Sequence, residues 1–192
     1  MGKDQIIAIA EKQLREGGYS SLNFRKIAEQ MQTSKANVHH HYKNKLLLAE
    51  AVTKRYADYY LEKMDQMAQQ LAPDYPAFLA AVEQMFWEMA ETHNSCSVCP
   101  CSQILRDRSN PPELLETSHT HFESLLALFK TYAQKSIDAG IMNPALAADN
   151  VAIQTTVFLT GLMMMGQNFS SVSEAKSMMK NQLVVWAETL KK

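Results

Sequence analysis

A chain of 192 residues with 46% hydrophobic and 20% charged side chains has the balance of an ordinary globular protein, enough for one large domain or two small ones. Three cysteines crowded at Cys96, Cys99 and Cys101 are not a secreted disulfide framework, and no charged apolar leader opens the chain, so neither secretion nor import is expected. The longest apolar run, Val157 to Gly166, falls well short of the roughly twenty residues of a bilayer span, which argues against a membrane role and for a cytoplasmic location. The net charge of −1 conceals a split: residues 1–50 carry +3 and the remainder −4. A basic amino-terminal segment on a mildly acidic body fits a local nucleic-acid contact face.

Ile6, Ile7, Ala10 and Leu14 form an apolar stripe that predicts a first helix over Asp4 to Glu16, ended by Gly17–Gly18. Phe24, Ile27, Ala28 and Met31 recur at helical spacing over Asn23 to Met31, with Asn23 at the N-cap. Gln32 and Thr33 break the pattern. Ser34 then caps a second short helix, KANVHHH, with Ala36 and Val38 as its small apolar contacts. Two short helices about a tight turn are the helix-turn-helix arrangement, whose second helix enters the major groove of DNA.

The stretch GYSSLNFRKIAEQMQTSKANVHHHYKNKLLLAEAV resembles the DNA-binding signature of the tetracycline-repressor (TetR) family of one-component transcriptional regulators. It departs from the common pattern at Gln32, where Gly is frequent and where a side chain brings backbone strain, and at His39, often a Tyr. The resemblance implies an all-α fold of about nine helices. Residues 1–47 would form a helix-turn-helix head and 48–192 a helical-bundle domain for ligand binding and dimerisation. It further implies a double-stranded DNA operator, a small-molecule effector, a homodimer and no cofactor. By position in the motif, Asn23, Arg25, Ser34, Lys35, Asn37, His39, His40 and Lys45 are the DNA-contacting candidates. Lys45 resembles the family's phosphate-binding lysine, and Asn37 can pair with adenine. His41 is expected to pack beside Tyr42, an aromatic that resembles the family's core anchor.

Asn44 caps a long helix from Lys45 to about Leu71, with Leu47, Ala51, Tyr56, Tyr60, Met64 and Met67 on its inner face; it links head to body as a lever. Pro73 and Pro76 precede a helix over Ala77 to His93, and a short helix is expected within Cys96 to Arg108. Asn110 reads as the N-cap, with Glu113 completing a capping box, of a helix from Leu114 to about Ala139, which Gly140 ends. Asn143–Pro144 opens a helix over Ala145 to Gln167, apolar on nearly every side, and a last helix spans Val172 to Leu190. A helix without a polar face must be covered all round. These last two helices resemble, by position, the pair through which the family dimerises; a buried central helix in a monomer is the alternative.

Tyr56, Tyr60, Phe86, Met89, Phe122, Phe129 and Phe158 are candidates to line an apolar effector site, or equally plain core. His93, Cys96, Cys99 and Cys101 have the donor types of a zinc or Cu(I) site, of a thiol sensor, or of small buried hydrophobes. His119 and His121, two residues apart, project from different faces of a helix and are discounted as a pair. No glycine-rich phosphate loop, H-E-x-x-H or nucleophile turn is present in the sequence, so no enzyme activity is expected. A helical protein-interaction adaptor without sequence-specific DNA binding is the remaining alternative.

Overall fold

Side-chain caps decide where several of the helices begin. The structure, a computed structural model, describes residues 2–96 and 99–192. Among these residues it is all-α, with α1 Lys3–Ser21, α2 Phe24–Gln30, α3 Lys35–His41, α4 Lys45–Leu71, α5 Tyr75–His93, α6 Pro100–Leu105, α7 Pro112–Asp138, α8 Ala148–Gly166, α9 Val172–Met179 and α10 Gln182–Glu188. Asn23 Oδ1 accepts from the backbone N–H groups of Arg25 (2.9 Å) and Lys26 (3.2 Å), Ser34 Oγ from Asn37 (3.2 Å), and Asn44 Oδ1 from Leu47 (2.9 Å). Each cap satisfies a donor that the first turn leaves without an intrahelical partner. The chain divides into two compact units, Met1–Tyr60 with Val98–Phe122 and Leu61–Ser97 with Glu123–Lys192; the boundaries fall inside α4 and α7.

In the first unit Ile6, Ala10 and Leu14 of α1 meet Ile27 of α2, Val38 of α3, Leu48 and Val52 of α4, Ile104 of α6 and Leu114 of α7 in one core. The expected end of α1 is visible as a kink: Gly17 and Gly18 leave helical geometry, Gly18 at φ 67°, and one further turn follows to Ser21. That positive φ suits glycine because no Cβ clashes with the following carbonyl. The run Leu46–Leu47–Leu48 leaves the start of α4 open to periodicity, and there the fold buries Leu48 and Val52 in place of Leu47, which is 44% exposed, and Ala51; Tyr56 and Met64 are buried as expected. Ala36 likewise faces solvent rather than the core, leaving Val38 as the buried side chain of α3. Gln32, in the turn between α2 and α3, sits at φ 53°.

Several boundaries move from their expected places. Asp74, two residues before Pro76, caps α5 through Ala77 N–H (2.9 Å), so the proline fills the first turn instead of preceding the helix. Of the short helix sought in Cys96 to Arg108, Ser97 and Val98 lie outside the described residues, and α6 starts at Pro100 with Cys99 as its cap. Asn110 does not cap α7: its buried side-chain amide donates to the Ile104 carbonyl (2.8 Å), tying the α6–α7 loop together. Asn143 caps a turn through Ala145 N–H (3.0 Å), and α8 starts only at Ala148.

The second unit is built on Tyr75, Phe78, Leu79 and Phe129, all fully buried. The Tyr75 hydroxyl shares a 2.8 Å hydrogen bond with Thr155 Oγ1 of α8. The expected single last helix is two, because Asn181 adopts a left-handed conformation (φ 69°) and makes no side-chain cap. The missing cap comes from α5. Buried Glu83 accepts from Leu183 N–H (2.9 Å), Val184 N–H (3.2 Å), Asn181 N–H and the Trp87 indole (3.2 Å). A carboxylate so placed satisfies the first-turn donors of α10 and complements its dipole.

Glu83→Ala would leave those buried donors without an acceptor, and we expect a loss of about 3 kcal/mol or more in urea unfolding, with Glu83→Gln intermediate. Gln32→Gly removes a side chain from a left-handed position. After the entropic cost of glycine it should raise stability by up to about 1 kcal/mol in the same measurement.

Candidate nucleic-acid interface and buried cysteine cluster

The residues that could touch DNA are arranged by what is buried beneath them. Val38 anchors α3 in the core of the first unit, and Ser34, Lys35, Asn37, His39 and His40 are all exposed around it. Asn37 donates through Nδ2 to Thr33 Oγ1 (3.0 Å), which steadies its amide at the start of the helix. The His39 ring lies against Phe24, centroids 4.6 Å apart, while His40 meets His41 edge-on at 5.6 Å. His39 is thus the histidine with an aromatic neighbour in α2. His41 is half-buried, and Tyr42 packs on the head core as expected.

Asn23 is exposed and its Oδ1 is fully engaged in capping α2, while its own N–H donates to Gln13 Oε1 (2.8 Å). Arg25 is exposed and pairs with Glu29 at 3.0 Å, one turn along α2. Lys45 is more constrained than a free phosphate ligand: its ammonium donates to the Ser20 carbonyl (3.0 Å) and stands 4.6 Å from the centre of the Tyr19 ring. Partial burial lowers its pKa. Two of its three donors stay available, so the side chain links the end of α1 to the start of α4 and still presents positive charge.

Of the cysteine candidates, Cys99 and Cys101 lie together in the first unit, while His93, at the exposed end of α5, and Cys96 belong to the second. Cys96 is wedged against α8: a Cβ placed on Gly166 would lie 2.7 Å from Cys96 Cβ and 3.0 Å from its sulfur. Burial raises the Cys96 thiol pKa. The imidazole that joins Cys99 and Cys101 is His121 of α7, with one ligand atom from each of the three residues within 4.8 Å of the others.

All three are buried. Cys99 caps α6, its sulfur accepting from Ser102 N–H (3.3 Å) and lying 3.0 Å from Ser102 Oγ. A hydrogen bond from the Cys101 thiol holds Cys99 below the ordinary thiol pKa against the opposing effect of burial, and the same contact, with burial, pushes Cys101 up. Burial drives His121 down to about 4, so its ring is neutral near pH 7. Its Nδ1 has no hydrogen-bond partner.

Of the aromatics considered for an effector site, Tyr56, Tyr60 and Phe122 cluster with Cys99 and Cys101 in the first unit, Tyr56 and Tyr60 with ring centroids 4.4 Å apart. Arg15, also buried, stands 6.0 Å from the Tyr56 ring and has no cue in the sequence, while His121, discounted there as a pair with His119, lies beside the cysteines. Phe86, Met89, Phe129 and Phe158 belong to the second unit, where Phe86 packs on Trp87, Phe129 on Phe78 and Phe158 stacks on Trp186. A signal for His121 was present: Leu114, Ser118, His121, Leu125 and Leu128 follow helical spacing, so the histidine sits on the buried stripe of α7.

Residues 6–52 match the family model described as bacterial regulatory proteins, tetR family. No curated protein sequence matches the chain. Among solved structures, a TetR-family transcriptional regulator from Agrobacterium tumefaciens superposes with a TM-score of 0.81 at 18% identity, covering 98% of this chain and 97% of that one. The reduced form of NemR from E. coli gives 0.79 at 12% identity over 98% and 96%. FadR from Bacillus subtilis in complex with stearoyl-CoA gives 0.68 at 18% identity over 98% and 95%. The amino-terminal segment is therefore a TetR-family helix-turn-helix, and the chain around it has the fold of the TetR-type transcriptional regulators.

Proposed function

We propose that the protein is a ligand-responsive transcriptional regulator, acting as a repressor, that binds a palindromic operator in double-stranded DNA as a homodimer. In this reading residues 1–47 are the DNA-reading head and 48–192 the ligand-binding and dimerisation domain. The observation that carries it is the exposed row Ser34, Lys35, Asn37, His39 and His40 on a helix held by Val38. Such a row offers phosphate contacts for affinity and amide and imidazole groups for base edges. Asn23, Arg25 and Lys45 extend the phosphate contacts on either side.

Dimerisation rests on α8 and the segments after it. Ile153, Val157, Gly161 and Met164 recur at spacings of four, four and three, which places them along one side of the helix. Val157 is 64% exposed, Met165 55% and, from α9 and α10, Met178 67% and Val185 63%. A Cβ at Gly161 would have nothing within 4 Å. Large apolar side chains left in water at that density are accounted for by a second copy of the same surface, and a two-fold pair of heads suits a palindrome.

For the effector, the aromatic set fits a small, mainly apolar molecule, and FadR, of like fold, is complexed with stearoyl-CoA. Release by thiol or metal chemistry is the second reading, favoured by the buried meeting of Cys99 and Cys101 rather than by Cys96.

Lys45→Ala should weaken binding to every DNA sequence tested and reduce the slope of log affinity against log salt by about one unit; an unchanged slope would remove the residue from the phosphate contacts. Val157→Glu introduces a charge on the apolar row of α8. It should shift the protein from dimer to monomer in analytical ultracentrifugation and weaken operator binding while leaving the helical circular-dichroism signal intact.

A further inference from the structure

The cluster of Cys99, Cys101 and His121 offers two sulfurs and one imidazole nitrogen, mutually within 4.8 Å, from three residues each less than 7% exposed. Its members come from the cap of α6, the first turn of α6 and the middle of α7, so the donors sit on packed helices of one unit. One atom in it lacks the partner that burial demands: His121 Nδ1, on the inner stripe of α7, has no hydrogen-bond partner in the fold. An orphaned buried polar atom is costly to the fold, a cost that an ion bound at that nitrogen would relieve.

The donor set selects among ions. It contains no carboxylate, which disfavours hard cations such as Mg²⁺ and Ca²⁺. It supplies three ligands, one fewer than the tetrahedral set of a structural zinc site, whereas thiolates are the soft donors that favour Cu(I). The surroundings, Tyr56, Tyr60 and Phe122, are aromatic and keep the position dry.

We infer that Cys99, Cys101 and His121 form a buried three-coordinate site for monovalent copper. Binding exchanges two thiol protons for one Cu⁺, leaving two thiolates, a neutral imidazole and a local charge of −1; no electron is transferred. The buried Arg15 guanidinium, close enough to act on the Cys99 thiol, offsets part of that charge. The inference narrows the thiol-or-metal reading above. Because uptake is measured without DNA, its failure is distinct from failure of the operator reading.

The test offers the reduced full-length protein, without oxygen, Cu(I) held by bathocuproine disulfonate. A single Cu(I) per chain should be withdrawn, with X-ray absorption showing two sulfurs and one nitrogen around the metal. Cys96→Ser should retain this uptake; Cys99→Ser and Cys101→Ser should abolish it, and His121→Gln should weaken it at least about tenfold. Wild-type protein that leaves the chelator's copper untouched would overturn the site. So would a coordination shell lacking nitrogen, equal loss in Cys96→Ser, or stoichiometric Zn(II) uptake in preference to Cu(I). The wild-type coordination shell decides the matter even where a cysteine variant fails to fold.

Discussion

A seven-residue helix that buries one side chain cannot hold itself in place, and α3 is such a helix. Helices of that length are unstable alone in water, since nucleation fixes several residues for each bond gained. The position of α3 therefore comes from Val38 seated among Ile27, Leu48 and Val52, and from the Ser34 cap that closes its first turn. Because so little of α3 is consumed by packing, its other side chains remain for a partner. The exposed face of α3 and the weakness of the helix have one origin, and the rest of the first unit is the support that this arrangement requires. Lys45 joins that support through Ser20 and Tyr19 as well as facing outward.

The second unit solves a similar problem by a longer route. The chain between Lys180 and Gln182 turns through a left-handed asparagine that offers no cap, and the acceptor is borrowed from Glu83, about a hundred residues earlier. A local cap would let α10 form without regard to α5. A carboxylate supplied from a buried position on another helix makes the two cooperative, which stiffens the segment that follows the exposed apolar row of α8.

Much of this was legible in the residues alone, for identifiable reasons. The caps Asn23, Ser34 and Asn44, the all-helical pattern and the head were readable because each depends on neighbours within four positions. The phase of α4 was not, since three consecutive leucines fit more than one stripe and only the three-dimensional core selects Leu48. Asn110 and Glu83 carry roles set by partners in other elements, Ile104 and α10, and no spacing rule reaches them. His121, twenty residues beyond Cys101, meets Cys99 and Cys101 for the same reason, through packing of another helix that spacing along the chain does not reach.

The seat of Cys96 against Gly166 links two positions seventy residues apart. A methyl group at 166 would fall 2.7 Å from Cys96 Cβ and 3.0 Å from its sulfur, closer than side-chain contacts allow. A related chain with alanine at 166 must therefore carry glycine at 96, or shift one of the two segments. The two sites should vary as a linked pair across descendants of this sequence, a signature of steric fit and not of chemistry.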